Sequence, residues 1–151
     1  MRQALEEASR AGQRAEVPVG ALVVQGDRAI GRGCNAIEGG QDPTAHAEML
    51  AIREAARALG SRRLLGTVLY VTLEPCAMCA GAVVLARIPR LVFGAFDPRT
   101  GACGSLRNLV QDPRLNHRCE VVGGVLAEEC GARLRSFFAG LRGGPGREAP
   151  E

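Results

Sequence analysis

Residues 44–48 read Thr-Ala-His-Ala-Glu and residues 74–79 read Glu-Pro-Cys-Ala-Met-Cys, so an H-x-E sequence precedes a P-C-x-x-C sequence by about one βαβ crossover. One imidazole and two thiols, those of His46, Cys76 and Cys79, are a ligand set suited to zinc. Three protein ligands leave one position for water, whereas a closed structural site takes four. Cysteines three apart on a helix stand about 5–6 Å from each other at Cβ, which suits two ligands on one tetrahedral ion. Glu48 remains as a carboxylate that need not touch the metal. Two thiolates cancel the charge of a divalent ion, so water there is acidified less than by three neutral imidazoles, and a neighbouring carboxylate is needed to take its proton. The chemistry open to such a set is hydrolysis by a metal-activated water, with the carboxylate moving its protons.

Each of these residues also has a plainer reading. A C-x-x-C pair can be a redox couple or a buried pair after a strand, although neither explains His46 and Glu48. Glu48 can be an acid that the helix dipole favours in a first turn. Two positions along a helix turn through about 200°, so His46 and Glu48 share a pocket only if His46 sits at the helix lip and reaches across its end. Four further cysteines, Cys34, Cys103, Cys119 and Cys130, default to small, partly buried filler. A fourth ligand from among them would turn the centre into a structural one.

The elements that must hold these residues can be read from pattern. Met1 to about Gly12 has Ala4, Leu5, Ala8 and Ala11 at helical spacing. It starts without a cap, so a true N-terminus slightly upstream is expected. Val19–Val24 and Ala29–Cys34 read as strands joined across Gly26-Asp27, a hairpin signal. Asn35–Gln41 reads as a Gly-containing loop. Asp42-Pro43-Thr44 then opens a helix that runs to about Leu59 and stops at Gly60. Thr67–Thr72 is a buried strand, and Pro75 starts a helix reaching about Ala86. Arg90–Gly94 and Glu120–Gly123 are further strands. Asp97–Gly101 is turn chemistry, with a helical turn expected at Leu106–Val110. Leu126–Leu141 is a last helix, with Leu134, Phe137, Phe138 and Leu141 on its apolar side. A hairpin followed by alternating helices and strands gives an α/β fold with a mixed five-stranded sheet and helices on both faces. In such sheets the site forms at the carboxyl ends of parallel strands, where helix N-termini point, and His46 and Cys76 are both expected just inside helix starts.

Length and composition are consistent with one domain over residues 1–142 and a disordered tail over 143–151. No apolar run approaches the ~20 residues of a membrane span, and the amphipathic, acidic N-terminus does not read as a signal peptide, so no membrane partner and a cytoplasmic location are expected. Cysteines in that setting are thiols and metal ligands rather than disulfides. All 19 basic residues are Arg. Residues 61–118 hold 8 of them against Glu74, Asp97 and Asp112, a net of +5, while the flanking thirds are each −1. A basic middle around the presumed site suits a polyanionic substrate; a solvated Arg-rich surface explains it equally.

The H-x-E and P-C-x-x-C pair is the known signature of the zinc nucleobase deaminases, and further segments narrow the resemblance. These are Glu16-Val-Pro-Val-Gly-Ala21, Asn35, Asp42–Glu48, Leu73–Ala82, Val92–Pro98, Thr100–Ser105, Asn116-His117 and Phe137-Phe138. Together they resemble the bacterial tRNA-specific adenosine deaminases, which convert the wobble adenosine of a tRNA anticodon to inosine, from Met1 to about Arg142. The resemblance implies a three-layer α/β/α cytidine-deaminase-like fold, a homodimer, one zinc ion per subunit on His46, Cys76 and Cys79, Glu48 as proton shuttle, and Asn35 as a hydrogen-bond donor to the base. The partner it implies is a tRNA anticodon stem-loop, single-stranded at the reacting base because a duplex buries the amidine carbon. Arg99, Arg107, Arg114 and Arg118 are the candidate phosphate contacts, with His117 and Phe138 as stacking partners for flanking bases. Asp97, at the mouth of the site, is a candidate acceptor for the ribose 2′-hydroxyl, although an Asp-Pro turn also uses such a carboxylate on its own backbone. A deaminase of free guanine or cytosine, and a zinc-stabilised interaction domain with a fourth ligand, are the competing readings.

Overall fold

A computed structural model describes residues 1–143. In chain order it holds α1 (Arg2–Gln13), β1 (Gly20–Gln25), β2 (Arg28–Cys34), α2 (Ile37–Gly40), α3 (Ala47–Leu59), β3 (Thr67–Leu73), α4 (Ala77–Leu85), β4 (Arg90–Ala95), β5 (Glu120–Val122) and α5 (Ala127–Arg142). The strands form one sheet in the order β2-β1-β3-β4-β5. β1 pairs antiparallel with β2 and β3, while β3–β4 and β4–β5 are parallel. The expected mixed sheet is therefore present, with the crossover helix α4 between its first two parallel strands.

Period-two alternation decides which helix each face receives. Ala21 and Val23 of β1 lie opposite Gly33 and Gly31 of β2 and share a face with them. A Cβ at Gly33 would run into the Ala47 carbonyl, and one at Gly31 into that of Ala51. The bare backbone of β2 thus lets α3 sit directly on the sheet. Ala47, Ala51 and Ala55, all fully buried, are the matching small residues on the helix. Leu69, Val71, Leu91 and Phe93 fill the same layer behind Val83 and Ile88. On the other face α1 packs over β1, where Gly20 meets Ala4 and Ala8. α5 packs over β4 and is joined to α1 through Arg2–Glu129 and Arg133–Ser9.

Several expected boundaries shift. Ile37–Gly40 forms one helical turn instead of a loop, because buried Glu16 accepts the amides of Glu38 (3.2 Å) and Gly39 (2.7 Å). Asp42 does not open α3. Its Oδ1 takes the Thr44 amide at 2.8 Å and the Thr44 hydroxyl at 2.7 Å, closing a separate turn, and the helix begins at Ala47. No helix forms over 106–110, where Cys103 and Asn108 bridge instead. The apolar side of α5 is less covered than its spacing suggests, with Phe138 43% and Leu141 53% exposed. The tail expected over 143–151 lies, apart from Gly143, outside the described residues. Among the described residues no helix is long and apolar enough to cross a membrane.

Candidate metal and active site

The chain brings His46, Glu48, Cys76 and Cys79 together at the carboxyl end of β3, using the first turns of two helices. His46 is the N-cap of α3, in extended conformation (φ −70°, ψ 150°), and Cys76 is the N-cap of α4 (φ −73°, ψ 177°). Both lie one residue outside the helix, not just inside it. That position solves the rotation problem: the His46 side chain leaves from extended backbone and reaches across the helix end, while Glu48 points inward from the first turn. Glu48 is 4% exposed and Cys79, on the third helical residue of α4, is fully buried.

The geometry fits a zinc ion. Tetrahedral ligation at zinc–nitrogen and zinc–sulfur lengths of about 2.0 and 2.3 Å requires nitrogen and sulfur about 3.5 Å apart. His46 Nδ1 stands 3.6 Å from Cys76 Sγ and 3.5 Å from Cys79 Sγ. Among the described residues these three are the only His, Cys, Asp or Glu group whose ligand atoms converge in this way. Cys103, Cys119 and Cys130 are buried singly and Cys34 is half-buried, so the fourth ligand that a structural centre needs is not supplied by them.

The titratable groups respond to one another. Donation from the Cys79 thiol, helped by His46, pulls the Cys76 pKa down to about 4, and the Cys79 thiol is correspondingly raised. The hydrogen bond to Cys76 raises the pKa of His46. Burial pushes Glu48 up to about 7, with His46 acting in the opposite sense. A carboxyl group poised near neutrality is matched to moving protons in both directions.

These groups face a cavity of about 170 Å³ lined by Val17, Val19, Asn35, Ile37, His46, Glu48, Leu73, Glu74, Cys76, Asp97 and Thr100. An apolar cavity of about 150 Å³ accepts a benzene ring, so this one is on the scale of a single aromatic ring system. Its walls are apolar around a few polar groups, the usual make-up of a small-ligand pocket. Asn35 is 6% exposed and sits in this lining, as does Asp97. Asp97 is also tied into its own turn: Oδ1 accepts the amides of Arg99 (3.0 Å) and Thr100 (3.2 Å), and Oδ2 accepts the Thr100 hydroxyl (2.7 Å).

Other expected contacts are not brought to the cavity. His117 Nε2 bonds the Ile88 carbonyl at 2.7 Å, which fixes the ring against the chain. Phe138 packs edge-on against Phe137 on α5. Arg114 is held by Asp112 through Nε at 3.0 Å and Nη2 at 2.7 Å, and Arg118 bonds the Pro113 carbonyl. Arg107 and Arg114 line a separate, open groove of about 460 Å³ over residues 107–114. The basic middle is also divided. Arg90 begins β4, about 17 Å along the strand from the end that carries the site. Arg62, Arg63 and Arg87 lie in the segments that lead into β3 and β4 at that same far end. Arg99, Arg107, Arg114 and Arg118 are all exposed on the loops that follow β4, and of these Arg114 and Arg118 are held by Asp112 and the Pro113 carbonyl.

The lining residues that sequence reasoning passed over are Val17, Val19, Ile37, Leu73, Glu74 and Thr100. Glu74 carried a signal: it is one of only three acids in a segment with eight arginines, and it stands between a strand and a ligand. It is 2% exposed, and its carboxylate takes three amides and a hydroxyl from residues 97–105. Burial raises its pKa, but those donors more than reverse the effect and leave it below the ordinary carboxylate value.

Comparison with known proteins places this arrangement. Residues 1–95 match the cytidine and deoxycytidylate deaminase zinc-binding region. The tRNA-specific adenosine deaminase of Bacillus subtilis is 56% identical over 142 residues, covering 94% of this chain and 88% of that protein. A solved structure from a study of A-to-I editing by tRNA:A34 deaminases at the wobble position of transfer RNA superposes with a TM-score of 0.85 at 47% identity, over 89% of this chain and 97% of the other. A guanine deaminase structure from Nitrosomonas europaea is more distant, with a TM-score of 0.79 and 25% identity over 91% of this chain and 82% of that one.

Proposed function

The chain belongs to the cytidine and deoxycytidylate deaminase zinc-binding family, and from that premise we propose that it hydrolytically deaminates adenosine to inosine at the wobble position of a tRNA anticodon. The observation that carries the chemistry is Glu48, a buried carboxylate that lines the cavity beside a three-ligand zinc set. Zinc, when bound, supplies the Lewis acidity that makes water nucleophilic near neutral pH. Glu48 takes one proton of the attacking water and delivers it to the ring nitrogen beside the reacting carbon, then takes the remaining proton of the added hydroxyl and passes it to the departing amine, which leaves as ammonia. Val17, Val19, Ile37 and Leu73 keep the reacting ring in a largely apolar slot, and Asn35 offers an amide for orientation. A slot for one ring system requires the base to leave its stack, which an anticodon loop allows at low cost. The substrate class follows from the 56% identity to a tRNA-specific relative, against 25% to a guanine deaminase. Steady-state turnover of an anticodon stem-loop with adenosine at the wobble position, run beside free adenosine, guanine and cytosine, tests the reading. The stem-loop alone should be converted; efficient turnover of a free base would transfer the assignment to the small-molecule deaminases.

Phosphate contact is expected through Arg99 and Arg107, exposed on the loops beyond β4, since Arg114 and Arg118 are engaged by Asp112 and the Pro113 carbonyl. Replacing both with Ala should make the dependence of log affinity on log salt shallower by roughly 1.4 to 1.8, since each phosphate contact contributes about 0.7–0.9 to that slope. Binding titrations of the stem-loop across salt concentrations measure this, and an unchanged slope would place the RNA elsewhere.

Asp97 bears on the choice between RNA and DNA. Its Oδ2 accepts one hydroxyl, and a carboxylate oxygen has a second lone pair to offer. The 2′-hydroxyl is the donor that RNA has and DNA lacks. Asp97→Asn preserves a turn-forming residue while removing the charge and one acceptor, so activity on a DNA anticodon loop should rise relative to RNA. Equal ratios for parent and variant on matched stem-loops would confine Asp97 to its turn.

The protein is expected to act as a homodimer joined through α4. This helix, Ala77–Leu85, contains no charged residue, and a helix apolar on all sides is ordinarily buried. Here Ala77 and Leu85 remain exposed, Leu85 by 74%, with Gly81 between them on the same stripe. Leu85→Arg should shift the mass measured by light scattering from two chains to one. A parent that is monomeric at micromolar concentration would contradict this.

A further inference from the structure

Glu48 moves the proton and Asp97 closes a turn, but the third carboxylate in the cavity lining, Glu74, has no part in the reaction as described. Its oxygens are nonetheless fully engaged. Oε2 accepts the Asp97 amide at 2.9 Å and the Ser105 hydroxyl, and Oε1 accepts the amides of Cys103 (3.2 Å) and Ser105 (2.8 Å). All four donors belong to the loop over 97–105, one at its start and three at its end. The same loop is tied to the ligand-bearing segment by the Ala102 amide on the Pro75 carbonyl (2.8 Å) and by an isolated bridge between Cys76 and Gly101. Gly101 rests on the carboxylate: a Cβ there would stand 2.5 Å from both Glu74 Oε2 and the Asp97 carbonyl. The loop then presents Asp97 and Thr100 to the cavity.

We propose that Glu74 is a positioning residue, whose carboxylate gathers the amides of Asp97, Cys103 and Ser105 to hold the 97–105 loop as a wall of the cavity and so sets how firmly the flipped nucleotide is gripped. The substrate in this statement is the one proposed above; the clamp itself is independent of it. Four donors converging from one loop call for a side chain that only accepts, and a carboxylate offers about four acceptor sites. Glutamine keeps the volume but replaces one oxygen with a donor. Whichever way it flips, an amide of the loop then faces an NH₂ group, and a buried donor without an acceptor destabilises the closed arrangement.

The test is Glu74→Gln in the zinc-loaded protein, followed by amide hydrogen exchange and steady-state kinetics on the anticodon stem-loop. Exchange over 97–105 should rise by roughly 10-fold, as expected for loss of a buried hydrogen bond, while β1 and β3 exchange as in the parent. Zinc should stay at one per chain, and KM should rise by roughly 10-fold with kcat changing by less than about 3-fold. Exchange that is unchanged, or that rises equally in β1 and β3, overturns the proposal, as does an equal loss in kcat and kcat/KM without a change in KM. Ser105→Ala, which removes one donor, gives a second test if Glu74→Gln fails to fold; it should loosen 97–105 alone, and no local loosening would overturn the clamp. A parent inactive on the stem-loop would refute the proposed substrate, while the exchange data would still decide the role of Glu74.

Discussion

Glu48→Ala is expected to fold, retain about one zinc per chain and lose at least ~10²–10⁴-fold in turnover, the range for removing a general acid–base group, with more lost because the same group serves several proton transfers. The expectation rests on separation of roles. The ligand atoms are on His46, Cys76 and Cys79, so the metal has no need of this carboxylate. Alanine also leaves no unpaired charge in a site where Glu48 is 4% exposed. Metal content by elemental analysis and turnover on one purified sample check both halves. Normal zinc with activity within about 3-fold of the parent, far below the acid–base range, would reduce Glu48 to an acid stabilised by the helix dipole.

Cys76→Ser is expected to lose metal and activity together. It exchanges a soft thiolate for a hydroxyl that stays protonated near neutral pH. The Cys79 thiol and His46 both lower the Cys76 pKa, so the variant removes a thiolate and not a neutral thiol. The remaining imidazole and single thiol cannot hold three corners of a tetrahedron. Elemental analysis after dialysis should show well below one zinc per chain, with the fold kept by the layer around Leu69, Val71 and Phe93, which does not depend on the centre. Full zinc in this variant would mean that the ligand set is wrong.

The metal trio and Glu48 are legible in the sequence because metal chemistry dictates both residue type and spacing, and because Pro75, Gly60 and the Gly26-Asp27 turn punctuate the elements that carry them. The hairpin and the mixed five-stranded sheet follow from the same punctuation, whereas the strand order is seen only in the structure. What escapes is set by partners distant in sequence. Gly39-Gly40 is a poor helical sequence, and the turn forms because Glu16 accepts the amides of Glu38 and Gly39. Asp42 resembles a helix cap, but Thr44 captures its carboxylate first. Val17 and Val19 lead into β1, whose antiparallel pairing with β3 sets them toward the Leu73 end, while Ile37 comes from α2, and no local pattern announces that these meet. Charge counting along the chain also misleads, because Arg90 and Arg99 are nine positions apart and lie toward opposite ends of the sheet.

The most direct measurement is incubation of the purified protein with total tRNA, followed by digestion and mass spectrometry of the nucleosides. Inosine should appear at the wobble position with loss of an equal amount of adenosine, and should not appear when Glu48→Ala replaces the parent. Absence of inosine with zinc-loaded parent protein, alongside turnover of free guanine or cytosine, would contradict a tRNA adenosine deaminase.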